Sequence, residues 1–209
     1  ILYFSYLNTG STSNAYFAAI IALIGVLVGY FYTAKPIRLS SRYGLGELSI
    51  FLSFGPLLTL GSGFAIAGES IIPYSTEFYN LLILGIPIGL LTTNILFINQ
   101  YPDYTSDKKV GKNHLVVLLG KKASRWIYAL NSAIAVGSLY YISENILNET
   151  QSSLFLYVLI PITMIYSYYL INGLFKYYNS RKLIKYNIHT IYFHMFFSSI
   201  YMIILANFQ

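Results

Sequence analysis

The sequence predicts an all-α, polytopic transmembrane helix bundle, and three observations predict it. Of 209 residues, 56% are hydrophobic and only 10% charged, more apolar side chain than one soluble core of that size needs. Long stretches contain no Asp, Glu, Lys or Arg, and the 13 basic residues fall only between them. Those stretches are continuously apolar rather than alternating, which argues against membrane-spanning strands. The net charge of +6 points to no nucleic-acid partner, because a nucleic-acid surface needs a basic face on a soluble domain. Cysteine is absent, so disulfides, thiolate metal sites and cysteine nucleophiles are excluded together.

A helix crossing about 30 Å of hydrocarbon needs roughly 20 apolar residues. Residues 15–34, 48–67, 78–99, 126–143, 152–172 and 187–206 meet that requirement, giving six complete spans. Residues 1–7 are apolar but too short to cross, and 8–14 (NTGSTSN) read as a polar turn, so the first piece is expected to be the end of a seventh span. The chain opens Ile-Leu-Tyr-Phe with no basic leader, and an N-terminal truncation is the expectation. Pro56, Pro87 and Pro161 lie inside spans, where they are expected to kink helices rather than end them. No linker or repeat interrupts residues 1–209, which read as one membrane domain.

The bias of Lys and Arg sets orientation. Lys35, Arg38 and Arg42 share one loop. Lys108, Lys109, Lys112, Lys121, Lys122 and Arg125 share the next, and Lys176, Arg181, Lys182 and Lys185 a third. The intervening loops carry Glu69, Glu77, Glu144 and Glu149 with no base. The expectation is an integral protein of the lipid bilayer, in a prokaryotic plasma membrane. The basic loops would be cytoplasmic, and residues 8–14 and the C-terminus outside.

The densest polar constellation runs from Asn99 to Lys112, where a span meets the cytoplasm. Asn99, Asp103 and Asp107 are four apart. On a helix that spacing stacks an amide and two carboxylates along one face, although Pro102 leaves open that a new turn begins there. Two carboxylates with no cation between them suit Mg²⁺, which binds one or two carboxylates plus substrate phosphate oxygens. Lys108 and Lys112 follow and suit the remaining phosphate charge. The bland alternative is a solvated helix end with local acid–lysine pairs worth about 0–1 kcal/mol. In the first basic loop, Tyr32 and the cations Lys35, Arg38 and Arg42 are a candidate diphosphate clamp, against the alternative that they only obey the orientation rule. His114 sits beside the aspartates. His189 and His194 are inside the last span, and facing a neighbouring helix is their ordinary role. With 22 Tyr and 14 Phe, aromatic faces line the bundle or its interfaces, where some can stabilise a cation.

Asn99-x-x-x-Asp103-x-x-x-Asp107, followed by Gly111-Lys112 and Leu118-Leu-Gly120, resembles the second aspartate-rich motif of the UbiA superfamily of intramembrane prenyltransferases. Tyr32-Thr-Ala-Lys-Pro-Ile-Arg-Leu with Tyr43-Gly-Leu-Gly-Glu47 resembles the preceding cytoplasmic loop, closest to the 1,4-dihydroxy-2-naphthoate branch of menaquinone biosynthesis. The similarity covers essentially the whole chain. It implies nine spans in the intact protein, of which this chain would be the C-terminal two-thirds. It also implies a transferase that moves an isoprenoid from a polyprenyl diphosphate to an aromatic acceptor. Asn99, Asp103 and Asp107 would be catalytic, Asp103 and Asp107 would hold Mg²⁺, and Tyr32, Lys35, Arg38, Lys108 and Lys112 would bind substrate. Two departures stand out. The first aspartate-rich motif would lie upstream of Ile1, and where many members have Lys four residues after the loop tyrosine this chain has Pro36, with Lys35 one residue earlier. Lipid headgroups, haem and chlorophyllide are alternative acceptors. An ion-coupled transporter is the alternative from another class, although transporter sites usually sit near the midplane.

Overall fold

The computed structural model describes residues 7, 10, 12–67 and 71–206. Residues 1–6 of the expected helix end, residues 8, 9 and 11 of the expected polar turn, and Glu69 lie outside the described residues. Thr12, Ser13 and Asn14, read from sequence as part of that turn, instead form the first turn of helix α1 (Thr12–Thr33). Asn14 is buried there, and its side-chain oxygen accepts from Ile71 N–H at 3.1 Å, so a polar residue at a helix start serves a tertiary contact.

Every regular element longer than an isolated bridge among the described residues is helical. After a 3₁₀ turn (Leu39–Ser41) come α2 (Leu45–Phe54), α3 (Pro56–Ile66), α4 (Thr76–Lys109), α5 (Leu115–Asn145) and α6 (Glu149–Leu154). A π segment (Phe155–Leu159), α7 (Ile160–Tyr177) and α8 (Leu183–Ala206) complete it. Each proline acts differently. Pro56 starts α3 after a break at Gly55, so the expected second span is two helices end to end. Pro87 and Pro102 are both carried inside the unbroken 34-residue α4. Pro161 lies two residues past the end of the π segment; a wider turn there accommodates a ring that would otherwise meet the Tyr157 carbonyl.

Among the described residues, five helical stretches are long and apolar enough to cross a membrane: Thr12–Thr33, Leu45–Ile66, Thr76–Lys109, Glu149–Tyr177 and Leu183–Ala206. The sixth expected span, 126–143, lies in α5, a long helix that does not meet the same apolarity criterion. Its polar groups are satisfied inside the bundle. Asn94 Nδ2 donates to Tyr128 O (3.2 Å) and Ser132 Oγ (3.0 Å), Asn131 Nδ2 donates to Asn94 Oδ1 (3.0 Å), and Tyr128 OH lies 3.0 Å from Thr190 Oγ1. Interhelical bonds of this kind contribute about 0.6–2 kcal/mol each in a membrane.

Helix α4 is the central post, packed by α2, α3, α5 and α8. Phe97, Ile98, Tyr101, Leu139, Ile142 and Phe197 are buried around it. Where it crosses the α2–α3 break, Gly55, Gly85 and Gly89 bring backbones together; a Cβ built on Gly85 would lie 2.5 Å from the Gly55 carbonyl carbon. The three basic loops emerge at one end. Asn113 N–H donates to Ser41 O at 3.1 Å, joining the first to the second, and Arg125 Nη1 donates to Phe175 O at 2.9 Å, joining the second to the end of α7.

Candidate functional site

Because α4 runs unbroken through Pro102, Asn99, Asp103 and Asp107 lie on consecutive turns of one helix, as their spacing anticipates. Their environments differ. Asp103 is exposed and has no ion-pair partner among the described residues. Asn99 Oδ1 accepts from Asn187 Nδ2 of α8. Asp107 is buried and doubly held, with Oδ1 2.6 Å from Lys112 Nζ and Oδ2 3.2 Å from His114 Nε2. A turn through Gly111, at φ +73°, folds Lys112 back onto that carboxylate. His114 caps α5 by accepting the Val117 N–H on Nδ1 at 3.4 Å. That leaves Nε2 as the protonated nitrogen, which donates to Asp107. Lys108, assigned to substrate from sequence, is exposed and lies 5.8 Å over the Tyr104 ring.

In the first basic loop the cations divide. Arg42 is occupied by its own loop, Nε donating to Ile37 O at 2.9 Å and Nη2 to Pro36 O at 2.8 Å. It shapes the turn rather than facing a ligand. Lys35 is exposed and Arg38 half-buried, and neither forms an ion pair among the described residues. Arg38 holds a left-handed φ of 49°, an uncommon conformation for a side-chain-bearing residue. Tyr32, on the last turn of α1, is half-buried.

Tertiary contacts bring the two sequence constellations together. Arg42 and Asn113 form a parallel backbone bridge. Below it, Glu47 is 4% exposed, and its Oε1 accepts from Gln100 Nε2 and from Leu115 N–H, both at 3.0 Å. One carboxyl thus ties α2 to α4 and to the first residue of α5. Glu47 lies within the Tyr43-Gly-Leu-Gly-Glu47 motif, whose sequence by itself assigns it no role. Its signal was that it is the only acid in a segment of bases, at the point where the loop re-enters apolar sequence.

The donor set suits a hard divalent cation in part. Among the described residues no three His, Cys, Asp or Glu side chains cluster, so no all-protein cage is present. Mg²⁺ does not require one, since phosphate and water complete its shell. Asp103 is the available oxygen donor, whereas both oxygens of Asp107 already have partners.

These helices and paired loops agree with sequence comparison: the chain matches the UbiA prenyltransferase family over residues 1–200. The chain belongs to that family. This UbiA-family chain is 31% identical over 125 residues to the 1,4-dihydroxy-2-naphthoate octaprenyltransferase of Bacillus subtilis, covering 59% of the chain and 37% of that protein. It is 34% identical over 126 residues to the 2-carboxy-1,4-naphthoquinone phytyltransferase of Synechocystis, with the same shares. It is also 36% identical over 96 residues to the Escherichia coli 1,4-dihydroxy-2-naphthoate octaprenyltransferase, covering 46% of the chain and 28% of that protein. The UbiA-family chain therefore spans well under two thirds of the length of these relatives. No solved structure matches it.

Proposed function

We propose that the protein transfers a polyprenyl group from its diphosphate to a ring carbon of an aromatic acceptor in quinone biosynthesis. The observation that carries this reading is the junction of two loops. The Arg42–Asn113 bridge and the Glu47 tie join the loop bearing Lys35 and Arg38 to the loop that follows the carboxylate row and to Gln100 of α4. Cations for a diphosphate and an oxygen donor for its counterion thus share one end of an apolar bundle. The names of the relatives, naphthoate and naphthoquinone prenyl or phytyl transferases, support the acceptor class.

Lys35 and Arg38 take the diphosphate oxygens, Arg38 by its forked N–H donors and Lys35 as a point charge. Lys108 and Lys112 add charge from the far side of the loop. Lys112 is held by Asp107 and Asp107 by His114, so the carboxylate row and its nearest base are oriented before substrate arrives. Asp103, with Asp107 behind it and Asn99 above, would hold Mg²⁺, which supplies Lewis-acid stabilisation of the leaving diphosphate. The C–O bond breaks with its electron pair going to the diphosphate, the electron-rich ring attacks the allylic carbon, and the attacked ring carbon then loses its proton, or CO₂ where it carries a carboxyl group, to restore aromaticity. The apolar helices keep water from that cation. We place the basic end in the cytoplasm and the C-terminus outside, following the lysine bias.

The test is diphosphate release from a labelled polyprenyl diphosphate by membranes carrying the protein, with 1,4-dihydroxy-2-naphthoate as acceptor. Release should require Mg²⁺ and the acceptor. Asp103→Asn should lower turnover at least about 100-fold, the scale of losing one strong electrostatic stabiliser, with unchanged protein level. Undiminished turnover in Asp103→Asn would remove the carboxylate row from the mechanism.

A further inference from the structure

Helix α4 presents a second chemistry on the side away from its carboxylates. At about 100° per residue, Tyr101 and Thr105 lie about 120–160° around the axis from Asp103 and Asp107, and Tyr104 lies about 60–100° from them. Those three residues help line two adjoining cavities of about 490 and 460 Å³ between the ends of α4, α5 and the α7–α8 loop, which share Lys121, Tyr178 and Asn179. Arg181 lines the first cavity and Lys122 the second.

The cations here are not balanced by protein. Among the described residues every ion pair belongs to Asp107, so Lys121, Lys122 and Arg181 face the cavities without a carboxylate partner. The Lys121 ammonium lies 5.5 Å over the Tyr104 ring, and burial lowers its pKa from the usual lysine value. An anion in the cavity offsets that desolvation. The wall is firm: Arg125 lies 4.3 Å over Tyr178, 4.6 Å over Phe175 and donates to the Phe175 carbonyl, which fixes both rings. Below the cations the surface turns apolar. Leu119 and Ile184 line the cavities and are exposed, and exposed Trp126 packs edge-on against Phe175 at 4.9 Å, a residue type that marks the membrane–water interface.

A free phosphate uses only the cations, whereas a phosphate carrying acyl chains uses the cations and the apolar flank together. Basic pockets between helices on the cytoplasmic side suit lipid phosphate groups. We propose that this recess binds the phosphate headgroup of an anionic phospholipid, seated between Lys121, Lys122 and Arg181, with its chains descending past Ile184 and Trp126. The site is distinct from the carboxylate row, and it does not depend on the reaction proposed above.

The test uses purified protein reconstituted in phosphatidylcholine vesicles with a trace of spin-labelled phosphatidylglycerol, or of spin-labelled phosphatidylcholine as reference. The immobilised fraction in the electron paramagnetic resonance spectrum gives relative affinity. The wild-type protein should prefer phosphatidylglycerol. A Lys121→Gln, Lys122→Gln, Arg181→Gln variant should lose that preference at least about tenfold, given about fivefold per cation near a membrane surface. Lys122→Gln alone changes one exposed side chain, so it reports about a fivefold loss even if the triple variant folds poorly. Lys176→Gln with Lys185→Gln removes two bases at the same end but outside the cavities, and should keep the preference. An equal loss in that control, or no loss in Lys122→Gln, would overturn the site. Displacement of the labelled lipid by millimolar inorganic phosphate would overturn the lipid assignment in favour of a soluble phosphate ligand.

Discussion

Replacing Gly85 with alanine tests the helix crossing that positions the candidate site. A Cβ there would lie 2.5 Å from the Gly55 carbonyl carbon and 2.6 Å from both the Gly55 oxygen and the Pro56 nitrogen, where ordinary contact begins at 3.4 Å. All three neighbours are backbone, so no side chain can rotate away. The α2–α3 junction must move off α4 by about 0.8 Å, and overpacking of that size costs about 1–3 kcal/mol. Gly137, on α5, is the matched control, because nothing lies within 4 Å of its Cβ position. There alanine gains helix propensity of up to about 1 kcal/mol. At about 2–4 °C per kcal/mol for a chain of this size, Gly85→Ala should melt about 2–12 °C below the wild-type protein and Gly137→Ala at or slightly above it. The assay is the loss of the monodisperse size-exclusion peak on heating detergent-purified protein. Because α2 carries Glu47 at its far end, Gly85→Ala should also weaken the loop junction and lower turnover. Equal melting of the two variants would refute the backbone-contact argument.

Glu47→Ala strands the Gln100 amide and the Leu115 N–H, each worth about 1–3 kcal/mol when buried without a partner. It should destabilise by about 2–6 kcal/mol, whereas Glu47→Gln keeps an oxygen for both donors and should melt within a few degrees of wild type in the same assay. Arg38→Ala should raise the half-saturating concentration of prenyl diphosphate more than that of the acceptor, because the lost contact is to phosphate; equal shifts in steady-state kinetics would assign the contact elsewhere. Orientation is measurable because the chain has no cysteine. In intact cells an impermeant thiol reagent should label Ser13→Cys readily, and Ser106→Cys and Ser180→Cys poorly, and strong labelling at Ser106→Cys from outside would reverse the topology.

The sequence alone determined the fold class, because continuous apolar runs and the confinement of every base to three loops leave few alternatives in a bilayer. It also placed Asn99, Asp103 and Asp107 on one face, since spacing by four is a local property of a helix. It could not say that Pro102 would be carried inside α4, nor that α5, less apolar than its neighbours, would hide its asparagines against Asn94. Those outcomes depend on what packs alongside. The division among the bases was equally invisible: Arg38, Arg42 and Lys112 look alike in a list of charges, yet Arg42 closes its own loop and Lys112 binds Asp107. Only the fold brought Glu47 within 3.0 Å of partners 53 and 68 residues away, and only the fold gathered Lys121, Lys122 and Arg181 around cavities whose lining includes neither Asp103 nor Asp107. Periodicity and charge bias are written in neighbouring residues. Which groups satisfy one another across the bundle is settled by packing, where each buried polar atom must find a partner that sequence order does not name.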